Sequence, residues 1–483
     1  AYSDNNSSWE QYRRGGGVYY ASSSATLANL VINNNTAVTG GGMYSSSSIA
    51  SLDNITFSNN SAESIRLDRF NELRLGIGGG IYIAGSSLTL TNANFSNNRS
   101  STDGGAIYNS GNLTLDNANI SNNSARDGDG IYNINGNLTV TNTNFSENFG
   151  RAIYNINTSN SSLTNVNFNG NTGGAIYNQD SDSSLNNVNF DSNNATNGGA
   201  IYNLRSDSEI TNSTFRFNTA GGGSGGAIYN IGDSDKSSNT VITNSLFHDN
   251  SSTFDGGAIY NTTYTDTKIT NSTFTENISG TNGGAIFSIE TTSDSAKPSI
   301  TVNNSILWDN QANISDDEIG GTTATVSNSI VRGGYIGIGN KQDDPLFVDP
   351  DNDNFRLQPN SPAINAGNND SLPADDDDLD DDADTSEKIP FDLDGNPRII
   401  NGTVDMGAYE GGQTANTEIS ISDVSLLEGD SGTQNFGFTV SLSRSSSDTV
   451  TVDYSTADGL ATDSAATAPS DYTATSGTLT FNP

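Results

Sequence analysis

Carboxylates dominate the chemistry this chain could perform. The run ADDDDLDDDADTSE (374–387) sets Asp375, Asp376, Asp377, Asp378, Asp380, Asp381, Asp382 and Asp384 side by side, and Asp392 and Asp394 follow in FDLDGN (391–396). So many like charges cannot pack without a counterion, although a solvated loop is the plainer alternative. Calcium takes six to eight oxygen ligands and suits closely spaced carboxylates. The spacing is not that of an EF-hand, so the calcium expectation rests on charge density and the DxDGN turn. Elsewhere the acids stand singly, at Asp103, Asp116, Asp127, Asp129, Asp191, Asp249 and Asp255, and no column repeats them on neighbouring units. Paired acid–base carboxylates are therefore not expected. The single histidine, His248, lies beside Asp249 and reads as a surface residue, while Arg126, Asp127 and Asp129 read as a polar turn. Cysteine is absent, which excludes disulfides and thiolate chemistry.

The elements that must position these groups repeat. GGAIYN occurs at 104–109, 173–178, 198–203, 225–230 and 256–261, with looser copies from GGGVYY (15–20) to GGAIF (283–287), and the central apolar residues fall 22–38 positions apart. Each unit continues into a second phrase, such as LTLTNANFSNN (88–98), whose apolar residues alternate with polar ones. Alternation of period two makes short strands, and strand-like units at such a period must stack to bury their apolar side. The reading is an all-β fold, a parallel β-helix of about a dozen turns. Parallel crossovers favour right-handed winding. At ~4.8 Å per turn it would be roughly 55–60 Å long.

Two columns follow from the alignment. Asn29, Asn54, Asn92, Asn117, Asn142, Asn165, Asn187, Asn212, Asn244, Asn271, Asn304 and Asn328 should form an amide ladder that satisfies buried polar groups at a corner. Phe57, Phe95, Phe145, Phe168, Phe190, Phe215, Phe247 and Phe274 should stack beside it. In GGAIYN, Ile and Tyr lie on opposite faces, and Ile is assigned inward. Tyr108, Tyr132, Tyr154, Tyr177 and Tyr202 then form an outward stripe, either a sugar-stacking or subunit-packing face or a ladder whose rings shield one another. The insertion ESIRLDRFNELRL (63–75) offers Arg66, Arg69, Phe70 and Arg74 as a second partner surface, or simply packs on its own rod.

These phrases resemble the polymorphic outer-membrane type of repeat within the pectate-lyase-like right-handed β-helix superfamily, over roughly residues 15–340. That superfamily contains polysaccharide lyases and hydrolases as well as surface adhesins, so the resemblance implies the architecture and leaves activity open. The motif set of its polygalacturonase-like members is not found here as a group. Residues 341–412 resemble the closing segment of secreted bacterial β-helices and are expected to cap the last turn. Residues 413–483, with LLEGD, VDYSTADG and SDYTATSGTLTF, resemble part of a Calx-β domain, an antiparallel β-sandwich. That likeness implies calcium ligation by Glu428 and Asp458.

Net charge is −37, and residues 341–483 hold 28 acids against 5 bases. Nucleic acid and anionic membranes are poor partners for such a surface, whereas divalent cations are good ones. No apolar run reaches membrane-spanning length. The expected protein is extracellular or cell-surface, structural or adhesive and non-enzymatic. It is calcium-stabilised and pairs with further copies of itself or with polysaccharide. The alternative is an extracellular polysaccharide lyase or hydrolase, for which carboxylates clustered on neighbouring turns with an Arg at hand would speak.

Overall fold

The computed structural model describes residues 14–67, 72–290, 296–315, 317–375, 378–380, 384–411, 419–421, 435, 437–442, 449–457 and 472–481. The chain divides into two compact units, Ala1–Gly412 and Gln413–Pro483.

The first unit is a parallel β-helix of about 12 turns. Each GGAIYN phrase contributes a short strand that pairs in register with its equivalents, as Ile131–Ile134 pairs with Ile153–Ile156 and Ile176–Gln179 pairs with Ile201–Leu204. A second face is built from strands such as Ser208–Thr211 and Thr265–Thr270, and a third from strands such as Leu246–His248 and Thr273–Thr275. Alternation settles which way each residue points. Ile107, Ile131, Ile153, Ile201, Ile228 and Ile259 are wholly buried. The phenylalanines stack inside with centroids 4.3–5.1 Å apart, interrupted where Ile120 takes one place.

The predicted asparagine column is aligned from turn to turn, and every member has φ between 47 and 58°. Its placement differs from expectation. These residues form the outer side of a left-handed corner and are exposed from Asn29 to Asn187. The amides donate back to the preceding turn, as Asn117 Nδ2 does to Asn92 Oδ1 (2.6 Å). The buried ladder uses another asparagine, the last of the NxxFxxN phrase: after a half-buried Asn35 come the buried Asn60, Asn98, Asn123, Asn148, Asn171, Asn193, Asn218, Asn250, Asn277 and Asn310. Asn193 is typical. Its Oδ1 accepts from the backbone N–H and Nδ2 of Asn171, and its Nδ2 donates to Phe168 O and Asn218 Oδ1. Every amide in the row donates to the next turn, and the row ends where Asn310 Nδ2 donates to Glu318 Oε2 (2.6 Å). A second buried row runs the same way from Asn109 through Asn133, Asn155, Asn178, Asn203 and Asn230 to Asn261. Burial of so many amides is tolerable because each is fully paired.

The segment after the helix also departs from expectation. The last turn is closed by residues 335–341: Tyr335 packs against the core, and Asn328 and Val331 donate to Ile338 O and Lys341 O. The rest of the segment to 411 folds back along the flank as a strap. Phe347, Phe355, Leu357, Met406, Ala408 and Tyr409 bury against Leu246, Ile306 and Ile330 of the third face. Backbone carbonyls of Phe391, Asp405 and Asn368 accept from the side chains of Asn244, Asn271 and Asn304. The strap is braced internally by Arg398, which donates to Gly407 O (2.8 Å) and Ala408 O (3.0 Å) and pairs with Glu410 (3.1 Å). It lies on the flank because the outward positions there turn apolar. The register runs Asn144, Asn167, Asn189, Thr214, Leu246, Thr273, Ile306, Ile330.

In the second unit, Ile419–Ile421 pairs antiparallel with Val440–Leu442, and Val450–Ser455 with Ser476–Phe481.

Candidate functional site

Tyrosine faces outward, as expected, because its strand neighbours Ile and Asn are committed to the interior. Tyr19, Tyr44, Tyr82, Tyr108, Tyr132, Tyr154, Tyr177, Tyr202, Tyr229, Tyr260 and finally Phe287 form one unbroken stack, with centroids 4.7–6.0 Å apart and planes within 22° of parallel. The ring faces cover one another, leaving edges and hydroxyls for anything outside. Burial, reinforced by the neighbouring phenols, pushes the hydroxyls of Tyr108, Tyr202 and Tyr229 up to about 12, so they remain proton donors at neutral pH.

Charged groups flank this stripe where two turns depart from Gly-Gly. Arg151 and Asp129 occupy the position held by Gly105 and Gly174 on neighbouring turns. The Arg151 guanidinium lies beside the stacked rings of Tyr177 (4.1 Å to the centroid) and Tyr154 (5.0 Å) and pairs with Asp127 (2.9 Å). Arg126 joins Asp103 (3.1 Å) to Asp127 (3.2 Å). Asp103 and Asp127 are bridge partners on adjacent turns, which corrects the expectation of scattered acids. Their separation of 24 residues equals the local turn length, a signal present in the sequence. Asp129 is buried, and burial raises its carboxyl to about 6 despite a 2.7 Å bond from the Ala125 N–H. Its second oxygen has no hydrogen-bond partner and lies where a Cβ on Gly150 would stand, 2.1 Å away. Gly150, Arg126, Arg151, Tyr177 and Tyr202 line a shallow groove of about 470 Å³ beside the stripe.

A second acidic column stands on the third face. His248, Thr275 and Trp308 are register partners, so Asp249, Glu276 and Asp309 follow on consecutive turns, all at left-handed φ of 54–59°. Their intervals of 27 and 33 residues match those of Asn244, Asn271 and Asn304. His248 is not a surface residue, since its side chain is 3% exposed. The strap explains this, as Phe355 lies over the imidazole at 5.1 Å.

Of the expected calcium ligands, Asp375 and Asp380 come together, and Glu387, which the sequence reading did not name, joins them, one oxygen of each lying within 4.8 Å of the others. Asp378 lies in the same loop, its N–H donating to Asp375 O. Asp392 is held differently. Its carboxylate accepts from the N–H groups of Asp394, Asn396 and Glu410 and from Asn396 Nδ2, which leaves its oxygens committed to the turn. Asp394 is paired with Arg356 by two bonds of 2.5 and 2.6 Å. Asp376, Asp377, Asp381, Asp382, Glu428 and Asp458 lie outside the described residues, as do Arg69 and Phe70. Arg66 pairs with Leu73 in a two-stranded ribbon of Ile65–Leu67 and Glu72–Arg74, and the Arg74 side chain is half-buried.

A family model described as "Right handed beta helix region" matches residues 69–235, and one for the Chlamydia polymorphic membrane protein repeat matches 244–262 and 271–289. Among solved structures, pectate lyase Pel9A is similar at 15% identity and a TM-score of 0.38, over 75% of this chain and 88% of that one, a level that carries no argument about activity. None of the curated proteins matches. The first unit is therefore a right-handed parallel β-helix. Among the described residues no helix is long and apolar enough to cross a membrane.

Proposed function

We propose that this chain is a non-enzymatic structural or adhesive element of a cell surface, which holds polysaccharide along the tyrosine stripe. One observation carries the reading. The rings are stacked on each other, so a row of phenol edges with donor hydroxyls repeats along the helix, next to the guanidinium groups of Arg126 and Arg151. Regularly spaced polar donors suit a polymer that itself repeats, and the surface-protein type of repeat supports the setting. Calcium at Asp375, Asp380 and Glu387 would stiffen the strap. Three carboxylate oxygens converging from a loop are the hard donor set that ion takes. The test is a polysaccharide panel with the triple variant Tyr132→Phe, Tyr154→Phe, Tyr177→Phe. It keeps the stack and removes hydroxyls, and binding should weaken at least tenfold. Equal binding by the variant, or none by the parent chain, would end the reading.

A second reading, a hydrolase or lyase acting on extracellular sugars, has its own support. Asp103 and Asp127 stand on neighbouring turns with Arg126 and Arg151 at hand, and Asp129 beneath the groove carries a raised carboxyl. Carboxyls in contrasting environments are what acid–base catalysis exploits. Release of reducing or unsaturated ends from any panel polysaccharide, lost in Asp129→Asn and Asp127→Asn, would favour this reading over adhesion.

A further inference from the structure

We propose that His248, Asp249 and Asp353 form a site for one divalent transition-metal ion of the manganese-to-zinc series, which fastens the strap to the β-helix. His248 and Asp249 belong to the third face of the helix, and Asp353 belongs to the strap, 104 residues after Asp249. The imidazole Nδ1 stands 2.9 Å from Asp249 Oδ2 and 3.9 Å from Asp353 Oδ1. One nitrogen carries at most one hydrogen and cannot satisfy two carboxylates, and at 3.9 Å Asp353 makes no hydrogen bond with it. A cation in place of that hydrogen serves both.

The geometry is close to that required. Bonds of about 2.1 Å to a metal put neighbouring donors roughly 3–3.5 Å apart, and the two distances bracket that range. The ring is also fixed in aim. It packs against Phe355 at 5.1 Å and edge-on to Phe217 at 5.8 Å, and its side chain is 3% exposed. Asp249 and Asp353 remain open enough, at 30% and 44%, for an ion to enter and keep water ligands.

The surroundings point the same way. Glu276 and Asp309 continue the acidic column on the next two turns, and Arg332 pairs only with the far member, Asp309 (2.6 Å). At the near end Glu276 feels the charges of both Asp249 and Asp353, and among the described residues the basic groups beside them are His248 and, one turn back, its register partner Arg216, which is paired with Asp191 (2.6 Å). A donor set of one imidazole nitrogen and two carboxylates suits ions from manganese to zinc, whereas calcium prefers oxygen alone. Binding replaces the Nδ1 hydrogen, which leaves to solvent as a proton.

The experiment is calorimetric titration of the full chain, first stripped with EDTA, with Zn2+, Mn2+ and Ca2+ in separate runs. One equivalent of Zn2+ or Mn2+ should bind at this site. Both His248→Gln and Asp353→Asn should weaken it ~100-fold or more, beyond the ~10–100-fold that losing an outer-shell partner brings. Asp380→Asn, in the separate cluster offered to calcium, should leave it unchanged. Asp353 is half-exposed and its variant isosteric, so folding is not at stake. With Co2+ as probe, the visible spectrum should show a bound ion and lose it in the same two variants. Protection of residues 341–411 from protease by Zn2+ should vanish with them. No stoichiometric Zn2+ or Mn2+ binding by the parent chain, or full-strength binding in Asp353→Asn, overturns the proposal.

Discussion

Replacing Glu318 by Gln should remove a pH dependence that the chain carries at the closing end of its inner asparagine ladder. Each amide of that row donates to the next turn, so the row must end on an acceptor. Glu318 supplies it: Oε2 accepts from Asn310 Nδ2 at 2.6 Å, the residue is 5% exposed, and Oε1 has no hydrogen-bond partner. Burial, only partly offset by the Asn310 donors and by Arg332, pushes the carboxyl from 4.5 up to about 8. A raised acid binds its proton more tightly in the folded chain. The associated stability is therefore complete below about pH 4.5 and is lost as pH rises through about 8. At ~1.4 kcal/mol for each unit of pKa, that rise amounts to roughly 5 kcal/mol. Gln keeps the acceptor and cannot ionise, but leaves an amide without a partner, costing about 1–3 kcal/mol. The two stability curves should cross, with the parent chain more stable at pH 5 and the variant more stable at pH 9. Trp308 lies two residues before Asn310, and with Trp9→Phe its fluorescence alone reports unfolding by urea near the ladder's end. Curves that run parallel from pH 5 to 9 would refute the reasoning, because Glu318 would then be ionised throughout.

Asn193→Ala removes four hydrogen bonds and strands their buried partners, so it should cost about 3–6 kcal/mol in urea unfolding. Asn187→Ala, on the exposed outer ladder at φ 53°, should cost only about 1 kcal/mol. Phe215→Ala opens the inner aromatic column between Phe190 and Phe247 and should cost about 3–5 kcal/mol by the same measurement. Ile306→Asn restores the polar residue that earlier turns carry at that position. It should release the strap, seen as new protease cleavage within 341–411 while the β-helix core stays resistant.

Much of the fold was legible because a stacked structure repeats its environment every turn. Ile107 and Tyr108 had to face opposite ways, and a buried Phe had to recur with each NxxFxxN. The asparagines were harder. Asn92 and Asn98 both recur, and composition cannot distinguish an amide at an outward left-handed corner from one turned inward; the strand's exit angle decides that. The candidate sites were read least well. Asp103 with Asp127, and Asp249 with Glu276 and Asp309, looked scattered because turn length varies, although each interval matched the local period.

What the sequence by itself determined is the coil: its strand alternation, its inward isoleucines and phenylalanines, and its outward tyrosines, all consequences of a local period imposed turn after turn. What only the tertiary structure decided is where the non-repeating chain goes. The strap was expected over the last turn, yet it lies along the flank, where Leu246, Ile306 and Ile330 replace the asparagines of earlier turns. That placement buries His248 and brings Asp353 beside it, from 105 residues away. Such long-range contact depends on apolar surface matched in space, and no periodicity records it.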